Sequence, residues 1–287
     1  MEKVFNFGIP HVGENIFENI DTDGLIKCLE VSETWKVLAE NVLLKRWKGS
    51  MIEACKSGKT EIVKLLLERI EGEDINLNCT DNTGETAFMS ACKNGHGDVV
   101  KLLLDHSEDT DINLNAKINT FEFPGLTAFM LACDEGHTNV VKLLLEHSED
   151  KKIDLNAING YGYTIFTRAC FKKNIDVVKL LLDYSKDKLI NLNARSSTFR
   201  TPFMLACYEG DTDMIKLLLD YSGDRNIDLN AMDICGTTAF MIARDGGRKD
   251  VVKLLQDFSE DRNIVLNPKD FRWVRRQEND EKLWVTS

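Results

Sequence analysis

No apolar stretch of this sequence is long enough to cross a membrane. Every extended one is broken by a charge, as in Val99-Val100-Lys101-Leu102-Leu103-Leu104, far short of the roughly 18 residues a span requires. The start, Met1-Glu2-Lys3-Val4-Phe5-Asn6, has no basic stretch followed by an apolar core, and the end, Trp284-Val285-Thr286-Ser287, offers no cysteine for prenylation. The expectation is an intracellular, cytoplasmic protein with no membrane partner. Positive charge is in short supply: 36 Lys and Arg stand against 47 Asp and Glu, a net −11 over 287 residues. Such a chain repels phosphates, which excludes general nucleic-acid binding. Also missing are a Gly-rich phosphate loop, a Ser-His-Asp phrase and a Cys-x-x-Cys pair. No catalytic residue, metal or cofactor is therefore expected. What is plentiful, 43% hydrophobic with 29% charged residues, suits a folded protein.

The chain repeats itself. Ala54, Ala91, Ala132, Ala169, Ala206 and Ala243 fall into register with spacings of 37, 41, 37, 37 and 37, and cysteine follows the first five. Cys55, Cys92, Cys133, Cys170 and Cys207 thus read as a packing slot, not as disulfide or zinc partners. The fullest copy runs from Asp81 to Leu104 through Gly84, Thr86, Gly95 and His96 and closes on Ile112-Asn113-Leu114-Asn115-Ala116. It predicts a turn, a short helix, a break and a second helix whose apolar face is Val99, Val100, Leu102 and Leu103. No single unit buries that face, so stacking must, and the ends need caps.

The phrases Thr86-Ala87-Phe88-Met89, Ala91-Cys92, Gly95-His96, Val99-Val100 and Leu102-Leu103-Leu104 resemble the ankyrin repeat, over roughly residues 49–270. The resemblance implies an all-α repeat solenoid: six helix-turn-helix units with β-turn fingers, near 49–80, 81–117, 118–158, 159–195, 196–232 and 233–271. Methionine stands where the family has histidine (Met89, Met130, Met204), so apolar packing is expected in place of a Thr-to-His bridge. The period exceeds the usual 33 by four residues, which predicts a longer second helix or exit loop, and Phe121-Glu122-Phe123-Pro124 is a further insertion in a finger. His96 and His137 occupy the break between helices. His106 and His147 share a slot with Tyr184, Tyr221 and Phe258 and are read as structural. The tail, 272–287, with Trp273, Arg275, Arg276 and Trp284, reads as a capping helix. Its arginine pair is a weak nuclear signal that leaves the nucleus open as a second location.

Residues 1–48 do not follow the period and predict a small three-helix domain. Asp21-Thr22-Asp23-Gly24 supplies a turn and an N-cap. The order Ile9-Pro10, Ile16-Phe17, Leu25, Val31-Ser32, Trp35 resembles an F-box. That resemblance implies docking to the Skp-type adaptor of a cullin-RING ubiquitin ligase through Ile9, Pro10, Ile16, Phe17, Leu25, Val31 and Trp35. The same side chains would otherwise fill a plain N-terminal cap. F-box and ankyrin segments are paired in proteins that large DNA viruses and intracellular bacteria use in host cytoplasm, so the resemblance implies such an origin.

The expected reading is a non-catalytic, monomeric recruiting adaptor, or alternatively a ligase-independent ankyrin scaffold or inhibitor. Either binds a target protein of unknown identity through the fingers and the exposed ends of the first helices. Positions that vary between units there are rich in aromatic and basic residues, the usual material of binding hot spots. Phe121, Phe123, Leu126, Tyr161, Tyr163, Phe171, Lys172, Arg200 and Tyr208 are the candidate target contacts; the alternative is that some of the finger aromatics, especially Phe199 in a slot that is glycine elsewhere, fold back to pack a finger.

Overall fold

The computed structural model describes residues 17–47, 51–68, 76–120, 124–187 and 189–266 in full, and 271–274 and 283–286 as backbone. These fall into two compact units, Met1–Ala116 and Lys117–Ser287.

The first unit begins with α1 (Thr22–Cys28) and α2 (Glu33–Trp47), followed by two helix pairs, α3 (Met51–Lys56) with α4 (Thr60–Glu68) and α5 (Ala87–Lys93) with α6 (Gly97–Asp105). Asp21 caps α1 as its sequence predicts, its Oδ1 accepting from the Gly24 amide at 2.8 Å. A Cβ on Gly24 would stand 2.5 Å from Ile20 Cγ2, so the cap needs glycine there. In α2, Ala39, Val42 and Leu43 form a buried i, i+3, i+4 stripe, and the helix packs on α4. Arg46 ties the entry down, its Nη2 donating to the carbonyls of Glu18 and Ile20 at 3.2 and 3.1 Å. Lys59, in the first repeat, pairs with Asp23 at 2.6 Å.

The second unit contains four helix pairs: α7 (Ala128–Asp134) and α8 (Thr138–Glu146), α9 (Ile165–Phe171) and α10 (Ile175–Tyr184), α11 (Pro202–Glu209) and α12 (Thr212–Arg225), α13 (Ala239–Asp245) and α14 (Lys249–Asp257). First helices pack on first helices, α9 lying between α7 and α11, and second helices on second helices. This is the stacking that the repeat requires. The tail departs from expectation. In place of a capping helix, β1 (Phe271–Val274) and β2 (Leu283–Thr286) pair antiparallel with Trp273 opposite Trp284. Aromatic and β-branched residues in short runs favour extended backbone over a helix of two turns.

The local sequence explains the repeated geometry. Thr86, Thr127, Thr164, Thr201 and Thr238 each cap a first helix, the hydroxyl accepting from the third helical amide at 3.2–3.4 Å. The bridge expected to be purely apolar is not quite so. Met89 Sδ accepts from the Thr86 amide at 3.4 Å, closing a capping box with sulfur in the histidine's place, and in α9 the hydroxyls of Thr164 and Thr167 lie 3.1 Å apart. On α6 the buried face is Val99, Val100, Leu103 and Leu104, with Leu102 partly exposed, a correction of one position to the expected face. The four additional residues lengthen α12, which runs 14 residues to Arg225. The other second helices stop after 9 or 10 residues, and α6, α8, α10 and α14 continue as turns.

Four exit segments end in an asparagine that reaches the next repeat. Asn193 Nδ2 donates to the Asn226 carbonyl and its Oδ1 accepts from the Asp228 amide, both at 2.8 Å. Asn78 does the same with Asp111 and Asn113, and Asn230 with Asn263 and Val265. Asn156 bonds Leu189 and Asn191 in the same way.

The cysteine slot is a core slot. Cys55, Cys92, Cys133, Cys170 and Cys207 are buried, and burial pushes the Cys55 thiol up to about 12 and raises those of Cys92, Cys170 and Cys207. Cys79 and Cys235 are exposed. Native chain treated with a colorimetric disulfide reagent at pH 8 should therefore yield two fast equivalents, the other six appearing only in denaturant. A third fast equivalent, or labelling of Cys92 by mass spectrometry in native buffer, would contradict the packing.

Candidate protein-interaction face

The last three fingers are turns, each held by its first polar side chain. Asn159 Oδ1 accepts from the amides of Tyr161 and Tyr163, both at 2.9 Å. Ser196 Oγ does so for Thr198 and Arg200, and Asp233 for Cys235 and Thr237. The fourth finger residue takes a left-handed conformation, met by Gly162 and Gly236 but in one finger by Phe199 at φ 62°. Neighbouring fingers of the second compact unit are joined by backbone bonds, Gly160 N–H to the Pro124 carbonyl at 2.8 Å and Ser197 N–H to the Tyr161 carbonyl at 3.0 Å.

On this frame the aromatic residues form contacts that run from finger to first helix. Tyr161 and Tyr163 lie 6.2 Å apart between ring centroids, and Tyr163 lies 5.9 Å from Phe171 at the end of α9. In the next unit the Arg200 guanidinium sits 5.1 Å from the Tyr208 ring centroid at the end of α11, and Arg200 Nε is 3.5 Å from Asp233 Oδ2. Tyr161 and Tyr208 are half exposed, Phe171 is 37% exposed, and Lys172 is exposed beside it. Five of the expected target contacts therefore form two contacts in neighbouring repeats, with Lys172 beside the first.

Other expectations fall elsewhere. Leu126 is 4% exposed and fills the core beneath its finger, where its carbonyl accepts from Ile118 N–H at 2.9 Å, so it offers no partner surface. Phe121 and Phe123 lie outside the described residues. Phe199, the residue singled out by the alternative that finger aromatics fold back, is half exposed with Arg195 6.0 Å from its ring centroid. Of the ligase-adaptor residues, Ile9, Pro10 and Ile16 lie outside the described residues. Phe17 and Leu25 are 1% and 0% exposed, with Phe17 edge-on to Trp35 at 5.4 Å. They serve as the N-terminal core, because a segment this small must bury its largest apolar groups to fold at all. Val31 is exposed, as is Val37, and Trp35 is partly buried.

Sequence reasoning passed over the Arg168–Asp134 pair, which joins α9 to α7. Nε donates to Oδ1 at 2.9 Å and Nη2 to Oδ2, with the side chains 12% and 8% exposed. Their separation of 34 residues, close to one repeat, is the only signal that could have suggested it. The histidine slot also acts more specifically than expected. His96 Nε2 bonds the Lys56 carbonyl at 2.9 Å, Asn174 Nδ2 the Asp134 carbonyl at 2.9 Å and Arg248 Nε the Tyr208 carbonyl at 3.2 Å, so three occupants of the slot satisfy the preceding first helix, whereas Asp211 in the same slot caps the helix that follows. His106 and His147 each bond a carbonyl four residues back at 2.9 Å. Among the described residues no His, Cys, Asp and Glu gather as metal ligands would, and no helix is long and apolar enough to cross a membrane.

A family model described as ankyrin repeats (3 copies) matches residues 36–116, 112–195 and 187–269, its first match beginning inside α2. No F-box model matches the N-terminal segment. No curated protein matches the chain. Among solved structures, a chain of the complex of the Bd0816 predatory endopeptidase from Bdellovibrio bacteriovorus with immunity protein Bd3460 is 27% identical. The similarity covers 72% of this chain and 97% of that one, with a TM-score of 0.57. The ankyrin repeat domain of Bcl-3, a member of the IkappaB protein family, shares the fold at 23% identity and a TM-score of 0.62, over 72% of this chain and 84% of its own. Matched repeat by repeat over most of its length, the chain belongs to the ankyrin-repeat family, whose repeats bind protein partners.

Proposed function

We propose that this chain is a non-catalytic, ligase-independent protein-binding scaffold whose N-terminal helices cap the repeats and whose partner sits on the fingers and first-helix ends of the second compact unit. The observation that carries the reading is the unbroken contact from Tyr161 through Tyr163 to Phe171, continued in the next unit by Arg200 on Tyr208. Half-exposed rings held at fixed spacing on a hydrogen-bonded frame lose little entropy when a partner covers them. Similarity to a chain of an endopeptidase–immunity protein complex supports a protein as partner. Affinity capture with the full chain, quantified beside a Tyr163→Ala, Phe171→Ala variant of unchanged circular dichroism, tests it. Each truncation should remove about 2 kcal/mol, or roughly thirtyfold in Kd. Partners retained equally by the variant would end the reading.

The cullin-RING adaptor reading is the finer alternative, and it rests on Val31 and Trp35 as the expected contacts at or near the surface among the described residues. With Phe17 and Leu25 inside and α2 packed on α4, the segment is better suited to capping. Purified Skp-type adaptor should not bind the full chain. Binding that is lost on Val31→Asp, an exposed position that leaves the core intact, would restore the ligase reading.

A further inference from the structure

Charge is distributed unevenly over the last three repeats. Their fingers, first helices and the breaks that follow, residues 159–174, 195–211 and 233–249, hold eight basic residues against four acidic ones. Their second helices and exits, 175–194, 212–232 and 250–266, hold seven against eleven. Pairing takes up bases as well as acids: Asp211 caps α12 at 3.1 Å from the Met214 amide, Asp233 organises a finger and faces Arg200, Asp245 pairs with Arg244 at 2.8 Å, and Arg168 is held by Asp134. Lys172, Lys173 and Lys249 are exposed. A chain of net −11 thus concentrates cations on the side that carries its exposed rings.

A second feature points to the same side. Phe199 holds a left-handed backbone where Gly84, Gly125, Gly162 and Gly236 stand in the other fingers, a conformation unfavourable for a side chain with a Cβ, and its ring stays half exposed. Ile234, in the next finger, is 71% exposed and its amide donates to the Thr198 carbonyl at 3.4 Å. Folding alone favours glycine and a polar residue at these places. Backbone strain of this kind clusters at ligand clamps and other functional sites, and here it coincides with exposed apolar side chains.

We infer that this face takes an acidic, extended segment of a partner protein. Its carboxylates lie toward Lys172, Lys173 and Lys249, and one or two apolar side chains seat on the Tyr161–Tyr163–Phe171 cluster and beside Phe199. The inference rests on the scaffold reading above and adds the partner's chemistry. Extended backbone suits the row of fingers, which presents one anchoring site per repeat, and a basic face on an acidic molecule selects against the chain's own kind and speeds encounter with an acidic partner. A nucleic acid would share the charge, but the net −11 opposes it over a longer range.

The test selects 12-residue peptides from an unbiased displayed library on the full chain and measures the enriched ones by fluorescence anisotropy, with a 20-nucleotide single strand as the competing probe. Enriched peptides should be net acidic with an aromatic or aliphatic residue. Their affinity should fall about tenfold between 50 and 300 mM NaCl, and by about as much in a Lys172→Glu, Lys173→Glu, Lys249→Glu variant of unchanged circular dichroism. Phe199→Gly should weaken capture while raising the thermal midpoint. Neutral or basic peptides lost on Tyr163→Ala, Phe171→Ala would overturn the acidic partner and leave the scaffold reading standing. Acidic peptides indifferent to both variants, or no enrichment at all, would overturn both. Tighter binding of the oligonucleotide, sensitive to charge reversal, would replace a protein ligand with a nucleic acid.

Discussion

Arg168→Ala should lower the stability of the chain by about 3 kcal/mol, read as a shift of the urea midpoint followed by circular dichroism. The guanidinium meets Asp134 through two bonds on side chains that are 12% and 8% exposed, so its removal leaves a carboxylate in a place water reaches poorly. An exposed pair would give under about 1 kcal/mol, and that smaller value would show that solvent screens the site. The companion variant Arg168→Met, Asp134→Leu separates charge from packing. Replacing both partners with apolar groups of similar size should restore most of the loss, because it removes the unpaired charge together with the pair. Since α7 and α9 belong to successive repeats, the loss should appear as earlier unfolding of that neighbour contact and leave the α11–α13 contact less affected.

That pair also illustrates which parts of the molecule the sequence disclosed. Short-range chemistry was legible. Asp21 caps α1 as its turn phrase predicts, and the finger slot that is glycine in other units, filled by Gly162 and Gly236, is the left-handed position. So was the aromatic cluster, because Tyr161, Tyr163 and Phe171 differ from their counterparts in other units while the core around them does not. Less legible was anything set by depth. Leu126 varies among the fingers yet points inward, and Phe17 and Leu25 have an F-box order yet fill a small core, since burial of a side chain depends on neighbours that local order does not contain. The hairpin at 271–274 and 283–286 was misread for a related reason. Phe271-Arg272-Trp273-Val274 alternates with the period of a strand, but the helices before it made a helix the natural continuation.

Such an asparagine at the end of an exit segment gives the second large effect. Asn193→Ala removes one donor to the Asn226 carbonyl and one acceptor for the Asp228 amide, both at 2.8 Å, and should cost about 2 kcal/mol. Asn226 is itself held in a left-handed conformation, φ 50°, at the end of α12, so the donated bond fixes a backbone that has few other reasons to stay there. Asn193→Asp is the sharper variant. It keeps the acceptor for Asp228 but sets a carboxylate oxygen against the Asn226 carbonyl, and it should be at least as destabilising as alanine although it is closer in shape. Hydrogen exchange resolves the effect by site. The Asp228 amide should lose protection in the alanine variant, while the amide of Asn191, which Asn156 holds one repeat earlier, should keep it. Equal loss at both sites would mean that the repeats unfold together and the asparagines merely decorate the exits. Loss at Asp228 alone would mean that each asparagine fastens one repeat to the next, and that the alignment of the finger row depends on a bond made on the exit segments.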